Sequence, residues 1–128
     1  MKSQLSLDPP GEHLFIRAVS ADGVRIGDTL YTGALAIAAE TLIENWGPCR
    51  LEDLEEAHLE AILGLDPEVV LLGTGARQAF LPPAQLAPFY RRGVGIELMT
   101  TDAACRTFNI LASEGRRVVA ALLPILEG

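Results

Sequence analysis

A short cluster of glycine, threonine and arginine follows an apolar run in the middle of the chain. Gly73-Thr74-Gly75 comes directly after the string EVVLL, and Arg77 lies two residues further on. Backbone N–H groups in a glycine-rich turn can cradle an anion, and a guanidinium can add positive charge. However, the segment contains neither GxGxxG nor a Walker lysine. A strand-ending turn, in which glycine accepts a positive φ, explains the same residues, and we favour it over nucleotide binding.

A polar strip near the end of the chain is the second candidate for ligand binding. Arg106 and Asn109 fall on one side of a predicted helix, where a bidentate donor could hold a carboxylate or a phosphate. An ordinary ion pair between Arg106 and Asp102 at the helix end is the structural alternative, and we favour it. If the strip binds a ligand, we expect it to share a pocket with Gly75 and Arg77.

The remaining reactive side chains favour structural roles. Cys105 lies on the apolar stripe of the same helix, with Arg106 rotated about 100° away, so we expect a buried thiol rather than an activated thiolate. His58 lacks an identifiable partner, which indicates a packing histidine. Cys49 and Cys105 lack metal-ligand spacing, and His13 has no companion ligand. We therefore assign no catalytic residue, no metal and no cofactor.

Composition and charge limit the classes of function. The 128 residues are 49% hydrophobic, which is enough for one domain over residues 1–128 with a sizeable core. The net charge of −7 disfavours general binding to nucleic acid. No apolar run approaches the length that crosses a bilayer, and the first residues lack the pattern of a signal peptide. We expect a soluble cytoplasmic protein that binds neither nucleic acid nor membrane.

The second half of the chain alternates apolar strands with helices. Strands are predicted at 68–72, 94–99 and 117–123, and helices at 82–92 and 101–114. Thr101 is expected to cap the second of these helices. Glycine or proline marks nearly every junction, and this alternation is typical of an α/β fold.

The first half predicts extra strands and one more helix. After a loosely ordered lead-in at 1–12, strands are predicted at 13–19 and 24–33, with a turn at Asp22-Gly23 and a bend at Gly27. The alanines of residues 35–46 favour a helix and their β-branched residues a strand, and we predict one or two further strands because the preceding hairpin needs a continuing sheet. Residues 51–65 predict one amphipathic helix with the apolar face Leu51, Leu54, Ala57, His58, Ala61, Ile62 and Leu65. The whole chain is thus predicted to be a single α/β domain, a mixed central sheet with N-terminal hairpin strands and covering helices.

Three strings carry a resemblance to a known family. They are LLGTG at 71–75, LPP at 81–83 and TTDAACRTFNILASEGRRVVAALL at 100–123. Together they resemble a small α/β family of largely unknown biochemical function, which includes mitochondrial complex I assembly factor 3 and a mammalian adipogenesis-associated protein with an Mth-like domain. The resemblance implies a mixed sheet with extra strands on one side and helices around it. The family's usual Tyr after the Arg-Thr pair is Phe108 here, and the family supplies no agreed catalytic residues.

Two functional hypotheses follow. The resemblance to an assembly factor favours a non-catalytic binding or assembly module with a protein partner, for which an apolar surface patch is expected. The alternative is a protein that binds a small molecule or a small anion in a pocket near Gly75, Arg77 and Arg106. This alternative includes an enzyme that acts on such a ligand. We lean toward the first hypothesis and away from an enzyme.

Overall fold

The computed structural model describes residues 14–126, which form two β-sheets and three α-helices. The three-stranded sheet contains β1 (Ile16–Ser20), β2 (Gly23–Ile26) and β3 (Thr29–Tyr31). The five-stranded sheet contains β4 (Leu35–Ile37), β5 (Leu42–Glu44), β6 (Val69–Gly73), β7 (Gly95–Met99) and β8 (Val118–Leu122). The helices are α1 (Glu56–Leu63), α2 (Pro83–Arg91) and α3 (Thr101–Ser113), and a short 3₁₀ helix covers Leu51–Asp53. The predicted lead-in at 1–12 and His13 lie outside the described residues.

The five-stranded sheet is mixed, with the strand order β5-β4-β8-β6-β7. β7 and β8 run parallel to β6, whereas β4 runs antiparallel to both β5 and β8. β6 and β8 lie in the interior of the sheet and are apolar along almost their whole length, as expected of strands covered on both faces. The predicted mixed α/β sheet is confirmed, and residues 35–46 supply two of its strands, as predicted.

Alternating side chains of the central strands pack into two separate cores. Val70, Leu72 and Val119 belong to the core beneath α1 and α2. Leu71 and Ala120 belong to the core beneath α3 and the three-stranded sheet. Because successive side chains of a strand point to opposite faces, one continuous apolar strand serves both cores. The molecule is therefore layered, with the five-stranded sheet in the middle.

The three-stranded sheet corrects one prediction. The turn predicted at Asp22-Gly23 is confirmed, since β1 and β2 form an antiparallel hairpin there. The single strand predicted at 24–33 is wrong, because the chain reverses at Gly27 and Ile26 pairs with Thr29. Gly27 has a φ of 60°, and a glycine at the start of a two-residue loop allows this tight reversal. The predicted bend is therefore a second hairpin.

The helix predicted at 51–65 is also corrected. Glu55 adopts an extended conformation with φ −119° and ψ 166°, which separates the 3₁₀ helix from α1. Glu55 and His58 form a reciprocal capping box, in which the Glu55 N–H donates to His58 Nδ1 at 2.9 Å. The interruption rotates α1, so that Ala57 and Ala61 of the predicted apolar face are exposed. The buried residues of α1 are Leu59, Ile62 and Leu63.

The start of α3 differs by one residue from the prediction. Thr100, not Thr101, is the cap, and its hydroxyl accepts a hydrogen bond from the Ala103 N–H at 3.2 Å. Thr101 is the first helical residue and is completely buried. The cap therefore lies one position earlier, which frees the Thr101 side chain to bond elsewhere.

The Thr101 hydroxyl joins the ends of three elements. It donates to the Leu123 carbonyl at 2.6 Å, directly after β8. It accepts from the Gly75 N–H at 2.9 Å, in the loop after β6. The Thr101 N–H donates in turn to the Gly75 carbonyl at 3.0 Å. One buried side chain thus satisfies two backbone groups where β6 and β8 end and α3 begins.

Replacing the Thr101 hydroxyl with a methyl group is expected to destabilise the fold. Thr101→Val leaves the Gly75 N–H and the Leu123 carbonyl without their partner, and each unsatisfied buried group costs about 1–3 kcal/mol. We expect the free energy of unfolding in urea to fall by about 2–3 kcal/mol. Thr101→Ser keeps the hydroxyl and is the control, with an expected loss of about 1 kcal/mol for the methyl group. Equal losses for the two variants would contradict the assigned role.

Candidate binding groove at the carboxyl edge of the sheet

A groove of about 620 Å³ opens at the carboxyl ends of β6 and β8. Three segments line it: the loop that follows β6 together with the first turn of α2, the segment that leads into α1, and the residues after β8. In open α/β sheets, ligands bind in the crevice outside the carboxyl ends of the parallel strands. We refer to this feature as the carboxyl-edge groove.

The apolar part of the carboxyl-edge groove is partly open to solvent. Leu54 and Leu81 are buried in its wall, whereas Phe80 and Leu126 are 78% and 43% exposed. Solvent contact with single apolar side chains is ordinary, whereas aromatic and aliphatic side chains that line a concave surface are typical of a ligand pocket. The groove therefore presents apolar area that a partner can cover.

The charged part of the carboxyl-edge groove consists of Arg50, Arg77 and Glu52. Five arginines elsewhere bond to a carboxylate or to a backbone carbonyl: Arg25, Arg92, Arg106, Arg116 and Arg117. Within residues 14–126, the guanidinium groups of Arg50 and Arg77 make no such contact. Both cations are therefore available to an incoming anion.

Hydrogen bonds hold the loop that carries Arg77. The Thr74 N–H donates to the Met99 carbonyl at 2.8 Å, and the Thr74 hydroxyl donates to the Arg77 carbonyl at 2.6 Å. Gln78 Nε2 donates to the Leu98 carbonyl at 3.1 Å. Gly75 is buried with a φ of +100°, a conformation that other residues rarely adopt. The backbone at Arg77 is thus fixed to the end of β7.

The first predicted cluster divides into lining and packing residues. Thr74, Gly75 and Arg77 line the carboxyl-edge groove. Gly73 has a packing role, because a Cβ there would stand 2.9 Å from Thr101 Cα and 3.1 Å from Leu122 Cδ2. Its missing side chain lets the start of α3 approach β6 closely.

The second predicted cluster lies elsewhere. Arg106 and Asn109 line a different cavity of about 340 Å³, between α3 and β1. The structure therefore places Arg77 and Arg106 in different cavities, whereas a pocket shared by both was expected from the sequence. Arg106 forms an ion pair with Asp102 one helical turn away, as in the structural alternative. Helical periodicity alone could not show which cavity this face of α3 meets.

Asn109 binds the backbone of β1. Its Oδ1 accepts from the Ile16 N–H at 3.0 Å, and its Nδ2 donates to the Ile16 carbonyl at 2.8 Å. The carboxamide thus pairs with β1, an edge strand, as the backbone of a neighbouring strand would. Through this contact α3 holds the three-stranded sheet.

The two cysteines differ in accessibility. Cys105 is 2% exposed, and burial raises the pKa of its thiol to about 12, with a further rise from Asp102 and an opposing effect of Arg106. The predicted core role of Cys105 is confirmed. Cys49 is exposed and lines the carboxyl-edge groove.

Two further features concern metals and membranes. Within residues 14–126, no three His, Cys, Asp or Glu side chains come together in a way that could hold a metal ion. In the same part of the chain, no helix has the length and apolar character needed to cross a bilayer.

Three residues of the groove with a positive charge or a large exposed apolar side chain were not predicted from the sequence. Arg50, Phe80 and Leu126 come from distant parts of the chain and meet only through the fold. A phenylalanine in a loop directly before Leu81-Pro82 was the one available signal for Phe80, since apolar residues in loops are candidates for contact surfaces. No local pattern marks Arg50 or Leu126.

Thiol titration is expected to distinguish the two cysteines. A thiol whose pKa is raised to about 12 stays protonated near neutral pH, and the thiolate is the reactive form. We expect one reactive thiol per native chain with Ellman's reagent at pH 8 and two in guanidinium chloride. Cys49→Ser should remove the native signal. Rapid native reaction of the Cys49→Ser variant would contradict the burial of Cys105.

Removing the Asn109 carboxamide is expected to loosen β1. Asn109→Ala deletes both bonds to Ile16, which should lower the free energy of unfolding by about 1–3 kcal/mol. Amide exchange measured by NMR should accelerate more at Ile16 than at Val70. The neighbouring exposed residue supplies the control, since Ile110→Ala should change stability by less than about 0.5 kcal/mol. An unchanged exchange rate at Ile16 would contradict the bridging role.

Comparison with known sequences identifies relatives along most of the chain. Residues 16–123 match a family described as "Protein of unknown function (DUF498/DUF598)". The chain is 32% identical over 113 residues to NADH dehydrogenase (ubiquinone) 1 alpha subcomplex assembly factor 3 of Bos taurus. This alignment covers 87% of the chain but only 61% of the bovine protein, so the chain spans about three-fifths of that relative.

Solved structures agree with the fold. A crystal structure of a Bordetella parapertussis protein has a TM-score of 0.84 at 41% identity, covering 91% of this chain and 99% of the other. The solution NMR structure of a Bordetella pertussis protein, described as a Mth938-like domain, has a TM-score of 0.80 at 34% identity, covering 95% and 92% of the two chains. The resemblance carried by LLGTG, LPP and the α3–β8 string is therefore confirmed. The chain belongs to the DUF498/DUF598 family of proteins of unknown function.

Proposed function

We propose that this chain is a non-catalytic binding module that holds a protein partner in the carboxyl-edge groove and assists the assembly of a complex. The observation that carries the proposal is the apolar rim formed by Phe80 and Leu126 beside a groove of about 620 Å³. These side chains border a concave surface. The hydrogen bonds of the Thr101 and Thr74 hydroxyls hold the backbone of that surface in place. A preformed groove lowers the entropy cost of association.

The energetics of Phe80 support a partner of protein size. The ring is 78% exposed, and fully burying a phenylalanine is worth about 1.5–3 kcal/mol. Aromatic residues, phenylalanine included, are enriched at protein interfaces relative to the rest of the surface. We therefore assign Phe80 the anchor role and Leu126 the role of a supporting contact.

The bovine relative supports the proposed role in assembly. The Bos taurus protein is an assembly factor, and 87% of this chain aligns with it at 32% identity. We propose the same class of role here, with a partner defined by the chemistry of this chain's own groove. We further propose a reducing cytoplasmic setting, which fits an exposed Cys49 and a buried Cys105 that do not pair with each other.

Charge placed on the apolar rim is expected to abolish partner binding. Phe80→Asp combined with Leu126→Asp introduces two carboxylates where an apolar surface must be covered. We expect the wild-type chain to co-purify with a stoichiometric protein from cells of its source, and the double variant to lose at least about 90% of it. Both positions are exposed, so the free energy of unfolding should change by less than about 1 kcal/mol.

A matched control uses an exposed apolar residue outside the groove. Ile110 is 57% exposed on α3, and Ile110→Asp should leave co-purification unchanged. A photo-crosslinking amino acid at position 80 should label the same partner, and one at position 110 should not. If no stoichiometric protein co-purifies with the wild type, or if Ile110→Asp is as damaging as the double variant, the groove is not the binding surface.

A further inference from the structure

We infer that the groove recognises an extended apolar segment of a partner protein that carries a carboxylate, which the guanidinium groups of Arg50 and Arg77 bind. The inference rests on the proposed function and adds the chemical identity of the bound segment.

The local charge of the groove is opposite in sign to the net charge of the chain. The protein carries a net charge of −7, yet the groove is lined by Arg50 and Arg77 against Glu52. Two positive charges and one negative charge leave a local charge of +1. An acidic segment is therefore repelled by the molecule as a whole and attracted at this place, which favours both a defined site and a defined register.

The two arginines differ from most others in the molecule. Arg106 and Arg116 form ion pairs with carboxylates of the chain itself. Arg25 and Arg117 donate hydrogen bonds to backbone carbonyls. Two further arginines, Arg17 and Arg91, also lack such a contact within residues 14–126, but neither lines the groove. A guanidinium has five N–H donors in a planar fork that matches the two oxygens of a carboxylate.

The local charge favours a carboxylate over a phosphate. A carboxylate carries one negative charge, which balances the local +1, whereas a phosphate monoester carries about −1.5 to −2 near neutral pH. The excess charge of a phosphate would face Glu52. The groove is therefore matched to an aspartate, a glutamate or a chain terminus.

The apolar surface indicates that this carboxylate belongs to a longer segment. A free anion at Arg77 would leave Phe80 and Leu126 uncovered. A volume of about 620 Å³ falls in the range that holds drug-sized ligands, well above the size of a single carboxylate group. An extended segment with an apolar side chain next to its acidic residue covers both parts at once.

Peptide selection tests this inference directly. The full chain is used to select from random decapeptides displayed on phage, and selected peptides are resynthesised for calorimetry. We expect them to contain Leu, Phe or another large apolar residue within three positions of Asp or Glu. Arg77→Gln and Arg50→Gln should each weaken binding at least about 10-fold, as expected for loss of a charge-assisted pair.

The peptide provides the matching half of the test. Replacing its acidic residue with Asn or Gln should cause the same loss, and combining this change with Arg77→Gln should add little further loss. Arg91→Gln is the control, since Arg91 is exposed and unpaired within residues 14–126 but lies at the end of α2, and it should leave the affinity unchanged. Succinate should compete only at concentrations at least about 100-fold above the peptide's dissociation constant.

Several results would overturn the inference. They are the absence of any enriched peptide, enrichment without acidic residues, normal affinity of Arg77→Gln and Arg50→Gln, and competition by succinate at the peptide's own affinity, which would indicate a site for small carboxylates. The proposed function is judged separately by co-purification. If Phe80→Asp with Leu126→Asp loses the partner while Arg50→Gln with Arg77→Gln retains it, the groove binds a protein without using a carboxylate.

Discussion

The hydroxyl of Thr101 is the interaction on which the carboxyl edge of this fold depends. It is fully buried, and it connects the Gly75 N–H to the Leu123 carbonyl. These two groups follow β6 and β8, and the threonine itself opens α3. A buried polar group without a partner is costly, so the three segments are stable in this arrangement only together. The absent side chain of Gly73 completes the arrangement, because it allows the contact between helix and strand.

The fold of the second half could be predicted because local patterns and tertiary position agree there. β6 and β8 are apolar along almost their whole length since both faces are covered, and glycine or proline lies at or near the end of most elements. The predictions were wrong where a single residue determines the local structure against the surrounding sequence pattern. Glu55 interrupts a good amphipathic period by capping α1, and Gly27 turns a bend into a full reversal. Thr100 and Thr101 are equivalent caps by residue type, and only the extended backbone of Thr100 and its bond to the Ala103 N–H identify the cap.

The groove could be predicted only in part. The loop after β6 was a candidate because of its glycines and Arg77, and Thr74, Gly75 and Arg77 do line the groove. The expected convergence with Arg106 failed, since α3 turns that residue toward β1 and Asp102. Arg50 and Leu126 escaped notice because a groove built from three distant segments has no signature in any one of them. Residue type thus indicated candidate chemistry, whereas the meeting of residues depended on the topology.

Hydrogen exchange at the Gly75 amide tests the central claim most directly. Gly75 belongs to a loop, so its secondary structure alone suggests fast exchange. If the Thr101 hydroxyl holds the carboxyl edge as one preformed unit, the Gly75 amide should exchange as slowly as the amides of β8, through opening of the core. Exchange as fast as that of the exposed loop residues Ala76 and Gln78 would contradict the account, because the groove would then lack a fixed wall.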